Sequence, residues 1–94
     1  MTLTSHAAVV TDRPERYAKQ LLSHLGRKAE VREEADGSRL VIGTGSCLVV
    51  PGTGVLDLRA EAPDTEMLGV VQDVVGRHLV RFGEKDELVV DWVS

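Results

Sequence analysis

Aromatic side chains are scarce in this chain. Tyr17, Phe82 and Trp92 are the whole set, so an interior must be assembled mainly from Val, Leu and Ala, which favours a thin fold of two layers. Cysteine is represented by Cys47 alone; no internal disulfide can form, as fits a reducing compartment. No run of about 18 apolar residues is present, which excludes a membrane-spanning helix. Met1 to Val10 lacks both the basic start and the long apolar stretch of a signal peptide, and a cytoplasmic location is expected.

What is there is enough for one domain, 1–94, but not for separate cofactor-binding and substrate-binding halves. The formal net charge of -4 argues against a protein that coats nucleic acid, because such binders neutralise phosphates with clustered Lys and Arg. The charge is unevenly spread. Between positions 13 and 28, Arg13, Arg16, Lys19, Arg27 and Lys28 face only Glu15, so one basic element stands on an acidic body. It is either a solvated helix face or the seat of a phosphate- or carboxylate-bearing partner.

Hydrophobic periodicity orders the chain as β-α-β-β-β-β-α-β. Ser5 to Thr11 is β-branched and short, and it runs into Asp12-Arg13-Pro14-Glu15, a capping-box-like start with Pro in the first helical turn. Tyr17, Ala18, Leu21, Leu22 and Leu25 then share one helical face, with Lys19 and Arg16 opposite, and Gly26 ends it. Ala29 to Ala35 and Arg39 to Gly43 flank Asp36-Gly37, a two-residue hairpin signal. Cys47 to Val50 reads as a further strand. Val55 to Ala62 alternates most cleanly, with Leu56, Leu58, Ala60 and Ala62 inward, as in an antiparallel sheet with one wet face. Asp64 opens a second helix whose stripe holds Met67, Val71, Val74, Val75, Leu79 and Phe82. Gly83 closes it, and Leu88 to Val93 alternates as a last strand.

His78 falls inside that second stripe, between Val71 and Phe82, so burial with a structural hydrogen-bond partner is expected; otherwise it is half of a site. His24 sits at the edge of the first helix's stripe and is expected to be more accessible. His6, His24, His78 and Cys47 show none of the close pairs that zinc sites use, so neither a metal nor a cofactor is expected, and Cys47 reads as buried packing. Gly43-Thr44-Gly45 and Gly52-Thr53-Gly54 lack the Lys-Ser/Thr of a phosphate-binding loop and read as turns. Gly69 and Gly76 lie together on the outward side of the second helix, where another chain approaches closely or a propensity cost is tolerated. Val41, Val55, Val89 and Val93 are candidates for a partner surface.

Three stretches carry a family resemblance: Thr11 to His24 (TDRPERYAKQLLSH), Leu58 to Ala62 (LRAEA) and Asp73 to Phe82 (DVVGRHLVRF). They resemble the small bacterial proteins of domain of unknown function family 2218, over nearly the whole chain. The resemblance implies a role beside siderophore-interacting or iron-uptake proteins and transfers no reaction. Its motif positions are Tyr17, Lys19, Gln20, His24, His78, Arg81 and Trp92, of which the first six are the expected ligand-binding residues. No catalytic residue is assigned.

The expected architecture is α+β and two-layered, with two helices packed on one face of a mainly antiparallel sheet. Its expected role is a small binding or accessory module for a small anionic ligand or a protein partner, engaging neither nucleic acid nor membrane. An enzyme using His24 or His78 as general acid/base is the alternative, and a structural homodimer built on the open sheet face is a third reading.

Overall fold

In Val55–Ala62 apolar residues recur at every second position, a period that sends them to one face of a strand. The computed structural model, which describes residues 2–27 and 29–93, buries Leu56, Leu58, Ala60 and Ala62 and turns Asp57, Arg59 and Glu61 the other way. Lys28, part of the basic cluster, lies outside the described residues. The elements are β1 (Leu3–Val10), α1 (Pro14–Leu25), β2 (Glu30–Glu33), β3 (Ser38–Ile42), β4 (Gly45–Pro51), β5 (Val55–Ala62), α2 (Thr65–Phe82) and a 3-10 turn, Glu84–Asp86. The sheet order is β1-β5-β4-β3-β2, every neighbouring pair antiparallel. β1 closes on β5 from Leu3↔Ala62 to Val10↔Val55, so α1 carries the chain from one edge of the sheet to the other.

Both helices cover the same face, with one core between the layers. Leu21 of α1, Val71, Val75 and Leu79 of α2, and Val9, Leu40, Val49, Leu56 and Leu58 of the sheet are fully buried in it. Each such Leu or Val contributes about 1.5–3 kcal/mol of apolar burial, which is how a chain poor in aromatics holds two layers together. The opposite face of the sheet is mixed: Leu48 is buried there between Arg39 and Arg59, Val10 is exposed opposite Val55, and charged side chains pair across it. Arg59 pairs with Asp57 at 3.3 Å, and Arg39 reaches Glu34 at 2.6 Å and Glu61 at 3.6 Å. Of the valines expected as a partner surface, Val41 and Val55 are half-buried on this face, Val55 opposite Val10, while Val89 and Val93 lie on the C-terminal segment.

Several local expectations are corrected. Asp12 does not cap α1: the N-cap is Arg13, without a side-chain cap, and the Arg13 amide donates to Thr11 Oγ1 at 3.1 Å. Pro14 occupies the first helical position, which makes its predecessor the cap and leaves Asp12 one residue too early. The β2–β3 hairpin turns on Ala35-Asp36 rather than Asp36-Gly37, since Glu34 and Gly37 exchange backbone hydrogen bonds at 2.8 and 3.3 Å. Gly37 is needed for close approach instead: a Cβ there would stand 2.3 Å from the Val49 carbonyl oxygen. The positive φ falls in the next turn, Gly43-Thr44, where Gly43 has φ 59°.

The eighth element, Leu88 to Val93, keeps its alternation but makes only one antiparallel bridge, Val93 to His6 on the outer edge of β1. Glu87 adopts a left-handed conformation, φ 53°, and the chain beyond it crosses α2. Leu88 packs over Gly83, and Val90 and Trp92 pack against Gly76, whose Cα would carry a Cβ 3.5 Å from Trp92 Nε1. Gly76 is therefore buried by the chain's own C-terminal segment, not turned outward as expected. Gly69 is exposed, with nothing within 4 Å of a Cβ there.

Candidate functional site

At 100° per residue, positions 13, 16, 17, 20 and 24 fall on one side of α1 within about 100° of one another. That side faces the C-terminal end of α2 and the 3-10 turn, and between them runs a groove of about 540 Å³. Arg13, Arg16 and Gln20 line it from α1, Arg81 from the last turn of α2, and Lys85 and Asp86 from the 3-10 turn. Its floor is Tyr17, which is 6% exposed and whose phenol donates a short hydrogen bond to Asp86. That bond, then burial, then the Asp86 charge hold the Tyr17 phenol above its ordinary pKa. Four cations (Arg13, Arg16, Arg81, Lys85) meet two carboxylates (Glu84, Asp86) here, a net positive concavity on a chain of net charge -4. Among the described residues Arg16, Arg81 and Lys85 form no ion pair, and Arg13 has only Asp12 at 4.0 Å.

Beside this groove the two helices bring His24 and His78 together. Their ring centroids are 5.2 Å apart, and Phe82 stands against both, at 5.4 Å from His24 edge-on and 6.0 Å from His78. His78 is half-buried, not buried as expected. The buried line of α2 runs through Leu68, Val71, Val75 and Leu79, which places position 78 about 70° from its centre, on the flank that meets α1. His78 Nδ1 lies 2.6 Å from the Val74 carbonyl oxygen; a carbonyl can only accept, so Nδ1 carries a proton, and in the neutral ring the lone pair is then on Nε2. Among the described residues no carboxylate is hydrogen-bonded to either ring, so neither imidazole has the orienting acid of a general-base pair.

Of the six expected ligand-binding residues, Tyr17, Gln20 and Arg81 thus line the groove, and His24 and His78 adjoin it through Phe82. Lys19 does not join them: it is exposed about 160° round α1 from Tyr17. Arg13 and Arg16 were legible as members of the basic helix, but Arg16 was expected with Lys19 opposite the stripe that holds Tyr17; it turns into the groove beside Tyr17 instead. Asp86 was not, because its partner is 69 residues away and nothing local marks the loop after Gly83.

Other positions offer less. Cys47 is fully buried, and burial pushes its thiol up to about 12, so it is no nucleophile at neutral pH. A concavity of about 300 Å³ on the open face is lined by His6, Arg59 and Glu61 beside Val93, but Asp57 already engages both His6 and Arg59.

Residues 6–93 match a family described as an uncharacterized protein conserved in bacteria. Among solved structures the chain is similar to PA4090 from Pseudomonas aeruginosa, determined by NMR, with 27% identity and a TM-score of 0.78 over 96% of this chain and 94% of that one. No match is found among curated proteins.

Proposed function

The chain belongs to domain of unknown function family 2218, a family of uncharacterized bacterial proteins, and from that premise we propose that it is a binding module for a small anionic molecule bearing carboxylate or phosphate groups. The carrying observation is the convergence of Arg13, Arg16, Arg81 and Lys85, three of them unpaired among the described residues, on one groove floored by Tyr17. Guanidinium groups take oxyanions bidentately, and Gln20 adds an amide donor. The iron-acquisition setting implied by the family resemblance suits such a role, since chelators of hard cations present anionic oxygens.

The test is calorimetric titration with inorganic phosphate and with citrate at low and high salt. Saturable binding that weakens at least tenfold in Arg16→Gln and Arg81→Gln, and is unchanged in Lys19→Gln, is the expected result. Equal losses in all three variants would mean a diffuse electrostatic effect and remove the groove from the account.

A further inference from the structure

We propose that His24 and His78 form a two-histidine site for a borderline transition-metal ion such as Zn²⁺, separate from the anion groove. An imidazole nitrogen binds Zn²⁺ at about 2.0–2.1 Å, and the ring centroid lies about 1.1 Å behind the nitrogen, so each centroid stands about 3.2 Å from the ion. Two such rings at a tetrahedral angle have centroids about 5.2 Å apart. The rings of His24 and His78 are separated by 5.2 Å, a spacing that lets one ion bridge them.

Three further features suit a ligand role. The His78 Nδ1–H bond to the Val74 carbonyl fixes the tautomer that presents Nε2, and a metal-ligating histidine characteristically donates its other nitrogen in this way. His24 is exposed, so an ion can enter from solvent, and water completes the coordination. Phe82 packs against both rings and limits their wandering, which lowers the entropy lost on binding. The donors come from different helices, α1 and α2, so sequence spacing contains no trace of the pair. The remaining soft or imidazole donors lie elsewhere: Cys47 is fully buried and His6 is paired with Asp57 on the other face of the sheet.

The experiment is titration of the full chain with Zn²⁺ alone, read by calorimetry and by ¹⁵N NMR of the imidazole nitrogens. One-site binding is expected, with the Nε2 resonance of His78 shifting while Nδ1 stays protonated, at least tenfold weaker in His24→Gln and His78→Gln and unchanged in His6→Gln. His24 is exposed, so its variant stays folded and decides the matter even if His78→Gln destabilises the domain. Absence of binding, or binding that His24→Gln leaves intact, overturns the site. Neither result bears on the phosphate titration, whose determinants are Arg16 and Arg81.

Discussion

Tyr17 ties the two halves of the groove together, and its chemistry makes that tie pH-dependent. Asp86 accepts the phenol hydrogen bond, which favours the protonated form, and burial and the Asp86 charge act in the same direction. The folded-state pKa therefore lies above the unfolded value of about 10. As pH rises the unfolded chain releases its phenol proton first, so the stabilisation is full below about pH 10 and is lost as pH climbs through the folded value. Cys47, raised to about 12 by burial, adds an alkaline loss of the same sign, but it is common to wild type and variant. Tyr17→Phe is expected to cost about 1 kcal/mol near neutrality, because exposed Asp86 regains water, and the gap should shrink in urea denaturation near pH 10.5. A constant gap at both pH values would mean that the Tyr17–Asp86 bond contributes nothing.

At the scale of elements, the two helices begin with similar local signals and different chemistry. Asp64 caps α2, its side chain accepting from the Met67 amide at 2.7 Å, whereas Asp12 makes no cap for α1. Asp64→Ala is expected to destabilise by about 1 kcal/mol and Asp12→Ala by less than about 0.5 kcal/mol, as thermal unfolding of the two variants would show; equal losses would contradict the assignment. The strands were legible because alternation is a local property: Leu56, Leu58, Ala60 and Ala62 need only a period of two to declare a face. The stripe of α2 was legible only approximately. Met67, Val74 and Phe82 read as central but are half-buried, because Gly76, which no hydrophobic pattern registers, takes the side covered by Trp92. That rotation moved His78 out of the core and against His24. The pairing depends on how α1 and α2 pack, which neither helix encodes alone.

For the whole molecule, the unforeseen feature is the C-terminal strap. Alternation in Leu88 to Val93 correctly separated buried Leu88 and half-buried Val90 and Trp92 from exposed Val89, Asp91 and Val93, yet burial on one side does not decide what lies there. The segment covers α2 and ends on β1, held by two backbone hydrogen bonds between His6 and Val93, each 2.8 Å. Sheet edge and helix are thereby joined through residues at opposite ends of the chain. Leu88, 6% exposed over Gly83, anchors the strap where it leaves the 3-10 turn. Leu88→Ala removes most of that packing and is expected to cost about 2–4 kcal/mol, against less than about 0.5 kcal/mol for Val89→Ala, whose side chain is already in water. Trp92 is the only tryptophan, so its emission reports the strap while far-ultraviolet circular dichroism reports sheet and helices. If the strap is part of the cooperative unit, both signals follow one urea transition in wild type and shift together in Leu88→Ala. A fluorescence transition that precedes the dichroism change in wild type would show instead that the strap opens by itself and that the two layers stand without it.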